Sequence, residues 1–87
     1  MDKALLDQVA RSPRQMGEAL RRARRSKALT QKELAEKMDV RQATISQLED
    51  GGSQVRTLMD ALAALGLELV IRPRRQGTDA HDIEDLF

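Results

Sequence analysis

The sequence predicts an all-α fold of four short helices followed by one C-terminal strand. Apolar residues recur at helical spacing through residues 13–65, and two Ser/Thr-initiated capping motifs mark helix starts within that stretch. Residues 67–72 instead read Leu-Glu-Leu-Val-Ile-Arg, which is β-rich and roughly alternating. An aliphatic core is expected, because the 87 residues contain no Trp or Tyr and a single Phe, Phe87.

Size and composition exclude several functional classes. A chain of 87 residues fits one small domain without a large enclosed active-site cavity. With no Cys and one His, His81, the sequence offers neither thiolate zinc ligands nor disulfides. It also shows no membrane span, no secretory leader and no paired carboxylates on an apolar face. We therefore expect a cytoplasmic protein that is not an enzyme and needs no metal or cofactor.

The first helix has a clear predicted start. Ser12 fits the N-cap and Pro13 the first helical position, so a helix is predicted from Pro13 to about Lys27. Its inward residues are predicted to be Met16, Leu20 and Ala23. Residues 1–11 are weakly amphipathic and are assigned to an N-terminal arm or a loose helix.

Three further helices follow. The capping box over residues 30–33 opens a short second helix with Leu34, Ala35 and Met38 inward. A third helix is predicted over residues 42–50, and Gly51-Gly52 stops it. The fourth is predicted over residues 55–65, with Gly66 as its stop. Its inward stripe is predicted to be Val55, Leu58, Met59 and Leu62.

The C-terminal strand, residues 67–73, needs a partner. A lone strand leaves backbone donors and acceptors unpaired on both edges. Since no second strand is predicted, we favour a homodimer in which two copies pair this strand about a two-fold axis. The dimerisation residues would be Leu67, Leu69, Val70 and Ile71, with Leu67, Leu69 and Ile71 facing the helices. The alternatives are a further helical turn, or a segment that packs on its own helices without pairing.

Charge is segregated along the chain. Residues 11–27 carry seven Lys or Arg side chains and one acid, whereas residues 77–87 carry four acids and no Lys or Arg. The basic segment favours a polyanionic partner, although Arg side chains on a helix also serve simply to solvate an exposed face. Residues 74–87 are polar and unpatterned and are expected to be a disordered acidic tail.

Residues 31–50 meet the requirements of a helix-turn-helix, whose second helix enters the major groove of DNA. Ala35 supplies the small residue where the two helices cross. Asp39 occupies the turn position that needs a positive φ, which Asp tolerates better than most residues. The angle between the helices is filled by Val40, Ile45 and Leu48.

The outward residues of the third helix distinguish a DNA-reading helix from an ordinary corner of two helices. They are uncharged and short or amide-bearing, whereas a merely solvated helix more often carries Lys and Glu. Amides bond adenine, hydroxyls adapt to either partner, and methyl groups meet thymine. Arg41 can reach a guanine edge or a phosphate, and the start of the second helix suits a phosphate. The predicted DNA contacts are Thr30, Gln31, Arg41, Gln42, Ala43, Thr44, Ser46 and Gln47.

This region resembles the Cro/C1/Xre helix-turn-helix family. The stretches that carry the resemblance are Leu29–Met38, Val40, Gln42–Ser46 and Leu48–Gly51. It spans about residues 12–66 and implies a lambda-repressor-like domain that binds an inverted-repeat operator as a dimer. Two positions depart from the family pattern and affect where the third helix starts. Asp39 replaces the usual Gly, and Arg41 stands where a Ser or Thr cap is common.

Further features resemble the HipB-type antitoxins. They are Ser12-Pro13, the Gln-Ala-Thr-Ile-Ser stretch, a single helix after the motif, the strand, and the short acidic tail with a hydrophobic end. The resemblance implies a dimer formed through the strand, repression of its own operon, and inhibition of a HipA-type serine/threonine kinase toxin. It also implies that Leu86 and Phe87 bind that toxin.

Other functions stay open at this point. A stand-alone repressor without a toxin would use the same DNA-binding surface. A protein-interaction adaptor would use the basic helix to bind an acidic protein. An enzyme is disfavoured, because His81 lies in the predicted tail and is better explained as a solvated residue.

Overall fold

The computed structural model describes residues 7–75, and this part of the chain folds into four α-helices. They are α1 (Pro13–Ser26), α2 (Gln31–Met38), α3 (Gln42–Glu49) and α4 (Val55–Ala64). The predicted all-α, four-helix fold is confirmed, and the predicted ends of α1, α3 and α4 lie within about a residue of those observed. Predictions for residues 1–6 and 76–87 lie outside the described residues. None of the described helices is long and apolar enough to cross a membrane.

Local side-chain caps set the starts of α1 and α2. The Ser12 hydroxyl accepts the Gln15 N–H at 3.1 Å, but the Gln15 amide oxygen accepts from Arg11 N rather than closing the box on Ser12. At α2 the box is complete: Thr30 Oγ1 accepts the Glu33 N–H at 3.0 Å, and a Glu33 carboxylate oxygen accepts the Thr30 N–H at 2.9 Å. These bonds satisfy donors that the first helical turn leaves unpaired.

Two turns use left-handed backbone. Asp39 has φ 57° and ψ 47°, as predicted for the helix-turn-helix turn. Ala28, in the α1–α2 connection, also has a positive φ of 56°, which the sequence gives no reason to expect. The Leu29 N–H donates to the Arg24 carbonyl at 3.2 Å, so this turn folds back onto the last turn of α1.

The core is aliphatic, as predicted, and lies where all four helices meet. Its buried residues are Leu20, Ala23, Leu34, Ala35, Ile45, Leu48, Ala61, Leu62 and Leu65. The predicted inward stripe of α4 is wrong in part, because Val55 is 72% exposed and Met59 45% exposed. The two possible stripes share Leu58 and Leu62, and helical spacing alone does not choose between them. Packing chooses the one that continues through Ala61 and Leu65.

The predicted C-terminal strand is not a strand within one described chain. Residues 67–75 form neither a helix nor a sheet ladder, and no other strand lies among residues 7–75 to pair with them. Leu67 packs against the core, whereas Ile71, predicted to face the helices, is 93% exposed. Pairing between two copies therefore stays a prediction. Residues 7–11 and 66–75 border one open groove, with Leu20 and Leu62 among its lining residues.

Gly17 marks the closest approach of α1 to α3. A Cβ at this position would overlap the Glu49 carbonyl oxygen and lie 2.9 Å from that of Leu48. These are backbone atoms, which cannot swing aside as a flexible side chain does. Glycine here therefore fixes how near the two helices lie.

We expect Gly17→Ala to destabilise the fold by about 1–3 kcal/mol, because overlap with backbone outweighs the better helix propensity of Ala. Chemical denaturation measures this free energy of unfolding. Gly52→Ala is the matched control, since its Cβ would meet only the Gln47 carbonyl oxygen, at 3.7 Å. Equal stability of the two variants would refute the close-contact role of Gly17.

Candidate nucleic-acid interface

Helices α2 and α3 form the predicted helix-turn-helix. Ala35 is buried at their contact, and its carbonyl accepts the Val40 N–H at 2.9 Å, which closes the turn around Asp39. Ile45 and Leu48 anchor the inner face of α3, and Val40 packs against the same core. The inner face of α3 is thereby fixed, and the opposite face is left to solvent.

The outer surface carries the residues predicted to contact DNA. Arg41, Gln42, Ala43 and Gln47 are exposed, and Thr44 and Ser46 are half-buried on the same short helix. On α2, Thr30 is exposed and Gln31 half-buried. A hydrogen bond joins the two groups, from Gln42 Nε2 to Gln31 Oε1 at 3.5 Å.

The start of α2 carries its own negative charge, which modifies the predicted phosphate site. Backbone and side-chain hydrogen bonds with Thr30 hold the pKa of Glu33 below its ordinary value, so this carboxylate is ionised at neutral pH. The N–H groups of Gln31 and Lys32 have no partner among the described residues. A phosphate at this helix end would therefore be held by those two groups.

A buried ion pair lies directly beneath this surface. Glu49, the last residue of α3, is only 2% exposed. Arg24 of α1 donates to it twice, from Nε to Oε2 at 2.6 Å and from Nη2 to Oε1 at 3.1 Å. Arg21 donates from Nε to Oε1 at 3.3 Å. The remaining Arg24 group, Nη1, donates to the Leu29 carbonyl at 2.7 Å, so the same guanidinium also holds the α1–α2 connection.

Gln31 connects the buried pair to the outer surface. Its Nε2 donates to Glu49 Oε1 at 3.2 Å, while its Oε1 accepts from Gln42 Nε2. This sets the orientation of the Gln31 amide, and through it the amide of Gln42. The Gln42 carbonyl oxygen and its second N–H stay available for a base edge, which is the pair of groups that adenine requires.

Sequence reasoning missed Arg24, Glu49 and Gly17 as structural determinants of this site. A signal for the pair was present: Arg24 follows Leu20 and Ala23 in the inward register of α1, just as Glu49 follows Ile45 and Leu48 in that of α3. Opposite charges at core positions of two helices indicate a buried ion pair. Read as part of a basic surface, Arg24 was assigned to the wrong environment.

Only part of the basic segment is available to a polyanion. Arg24 and Arg21 turn toward Glu49, and Arg21 also lies 3.8 Å from Asp50. Arg14 pairs with Glu18 at 3.5 Å on the exposed side of α1. Glu49 and Asp50 thus offset part of the positive charge of residues 11–27, and the Arg14–Glu18 pair lies within that segment. Among residues 7–75, no group of acidic, His or Cys side chains is placed to hold a metal ion.

This chain matches a protein-family model and several solved structures. The helix-turn-helix family model HTH_3 matches residues 20–71. Two similar solved structures are described as "MDT Protein" and as the HipA-HipB-O2-O3 complex. Each has a TM-score of 0.72 and 31% identity, and the alignment covers 79% of this chain and 100% of the other. A comparison with curated proteins finds no match.

We expect Glu49→Gln to lower stability by about 3 kcal/mol at neutral pH, because it leaves the buried Arg24 charge without its partner. Burial raises the pKa of Glu49, but hydrogen bonds from Arg24, Gln31 and Arg21, with the Arg24 charge, lower it below its ordinary value of 4.5. The contribution of the carboxylate is therefore complete above pH 4.5 and is lost as the pH falls through the lowered pKa.

Denaturant unfolding of the wild-type protein and of Glu49→Gln, from neutral pH to well below pH 4.5, measures how the difference in stability depends on pH. The stability gap between wild type and Glu49→Gln should shrink in acid. Glu36→Gln, at an exposed position of α2, is the control and should change stability little. A Glu49→Gln gap that stays constant with pH would mean that shape, rather than charge, makes Glu49 important.

Proposed function

This chain belongs to the HTH_3 helix-turn-helix family, and from that membership we propose that it is a sequence-specific DNA-binding repressor and the antitoxin of a toxin–antitoxin pair. The observation that carries the DNA-binding part is the outer face of α3. That face is uncharged, rich in amide and hydroxyl groups, and held at its N-terminal end by the Gln42–Gln31 contact.

The exposed side of α3 is proposed to contact the bases. Gln42 presents an amide whose direction is fixed from below, and it is proposed to bond an adenine edge bidentately. Thr44 and Ser46 offer hydroxyls, Ala43 a methyl group for thymine, and Gln47 a second amide one turn further on. This combination serves direct readout in the major groove.

Phosphate contacts surround that readout surface. Arg41 precedes α3 without serving as a side-chain cap, so its guanidinium is available to a phosphate or a guanine edge. At the start of α2, the proposed phosphate ligands are Thr30 and the backbone N–H groups of Gln31 and Lys32. Such contacts set the register of the helix on the duplex, while base contacts supply the specificity.

The proposed repressor is a homodimer on an inverted-repeat operator. Leu69, Val70 and Ile71 are exposed apolar side chains in one continuous segment, which is costly in a monomer and expected of a surface that a second copy covers. Antiparallel pairing of this segment, with Leu67, would satisfy its backbone and bury these side chains. Two-fold symmetry in the protein then requires two-fold symmetry in the operator.

The antitoxin part of the proposal is supported by the similarity to a chain of the HipA-HipB-O2-O3 complex. By that similarity the partner is a HipA-type serine/threonine kinase. Leu86 and Phe87, in the acidic tail, are the proposed toxin contacts, and they lie outside the described residues. The second candidate is a stand-alone repressor, in which α3 would act in the same way without a toxin. A DNA-binding protein of either kind would work in the cytoplasm.

We expect Gln42→Ala to weaken operator binding by about 1–3 kcal/mol and to leave non-specific binding nearly unchanged, because only the base contact is lost. The operator is first selected from random duplexes, and affinities are then measured by fluorescence anisotropy at fixed salt. Gln54→Ala, an exposed amide that caps nothing, is the control. An equal loss on random DNA would remove Gln42 from base readout.

We expect Phe87→Ser to abolish capture of a serine/threonine kinase from the source cells while operator affinity is retained. Gln42→Ala should show the reverse pattern: kinase capture is retained and operator binding is weakened. Affinity purification with identification of both protein and DNA measures the two together. If the wild-type chain co-purifies with operator DNA but with no kinase, the result favours the stand-alone repressor.

A further inference from the structure

Helix α4 exposes two large apolar side chains that the single chain does not use. Val55 is 72% and Met59 45% exposed, and they lie one helical turn apart on the same side of α4. The inner side of the helix is supplied separately by Leu58, Ala61 and Leu62. The outer stripe is therefore additional to the core and is available for contact with a partner.

A pair of opposite charges runs beside that stripe at the same spacing. Arg56 follows Val55 and Asp60 follows Met59, and both are exposed. Neither has an ion-pair partner in the part of the chain that the structure describes. One turn of α4 thus carries an apolar residue and a base at one end, and an apolar residue and an acid at the other.

That arrangement is complementary to itself when the helix is reversed. In a two-fold contact, if residue i of one copy contacts residue j of the other, then residue j of the first copy contacts residue i of the second. Two α4 helices placed antiparallel would set apolar against apolar and base against acid, twice over. A different protein would have to supply a matching pattern of its own, so a second copy of this chain is the partner that fits.

We propose that α4 forms part of the dimer interface, with Val55 packed on the partner subunit's Met59 and Arg56 opposite the partner subunit's Asp60. The inference rests on the homodimer proposed above and extends its interface beyond residues 67–71. The helix that carries the stripe directly precedes that segment in the chain, since α4 ends at Ala64 and Gly66 leads into residues 67–71. A stable interface buries about 800 Å² per partner, which a pair of five-residue segments falls well short of.

Charge reversal tests the pairing. Arg56→Asp and Asp60→Arg each place like charges opposite one another in both halves of the dimer, and each should raise the dimer dissociation constant at least about tenfold. The double variant Arg56→Asp/Asp60→Arg restores opposite charges and should return to within about threefold of wild type. Sedimentation equilibrium measures the constants, and thermal unfolding checks that these exposed substitutions leave the monomer folded.

Three further variants extend the test. Glu36→Arg reverses an exposed acid on α2 and should leave dimerisation unchanged. Ile71→Lys disrupts the other proposed surface, residues 67–71, and should also weaken the dimer. Because the 87 residues contain no Cys, the variant Val55→Cys/Met59→Cys should form an intermolecular disulfide under oxidation.

The outcomes separate this inference from the proposed function. The α4 contact is supported if both single charge reversals weaken dimerisation and the double variant restores it. A dimer that depends on Ile71 but not on Arg56 or Asp60 overturns it and leaves the proposed strand pairing intact. A wild-type chain that is monomeric on its operator overturns the dimer itself, whereas base readout by Gln42 is judged by its own measurement.

Discussion

The buried pair of Arg24 and Glu49 is the interaction on which the rest of this small domain depends. One guanidinium bonds the end of α3 and, through the Leu29 carbonyl, the connection that leads into α2. The carboxylate in turn accepts from Arg21 and Gln31. Three helices are therefore tied at one point, where the absence of a side chain at Gly17 lets α1 approach the α3 backbone. A buried charge needs partners on every side, and here each position around Glu49 is filled.

The same pair has more to do with orientation than with net stability. Replacing a buried ion pair by well-packed apolar residues is often neutral or stabilising, so its energetic balance alone does not explain it. Apolar packing would not orient a neighbouring polar side chain, whereas a carboxylate does so by accepting its hydrogen bond. Glu49 holds the Gln31 amide nitrogen, which turns the amide oxygen toward Gln42. The polar interior thus determines how an exposed side chain on α3 is presented, and we infer that stability and DNA readout are coupled through this one carboxylate.

The sequence predicts best what is decided locally. The Thr30–Glu33 box, the Ser12 cap and the left-handed turn at Asp39 each depend on a few adjacent residues, and all three appear in the structure. The rotation of α4 depends on the rest of the core, so the spacing of Val55 and Met59 misled the prediction of its inner face. Arg24 and Glu49 were missed for the same reason, since a charge at a core position is explained only by the helix that faces it. The pairing predicted for residues 67–71 would involve a second chain, so the fold of one chain does not test it.

The residues that the single chain leaves unburied are concentrated, and their position has a consequence for DNA recognition. Large exposed apolar side chains occur on α4 and in residues 67–71, whereas the α3 surface proposed to read DNA carries none of them. Folding and assembly therefore use separate surfaces. In a two-fold dimer the distance between the two α3 helices is set by the interface rather than by α3 itself, and that distance must match a turn of the DNA helix or a multiple of it. In the proposed dimer, recognition accordingly has two independent parts: Gln42 and its neighbours would select the bases of a half-site, and the assembly surface would select the spacing between half-sites.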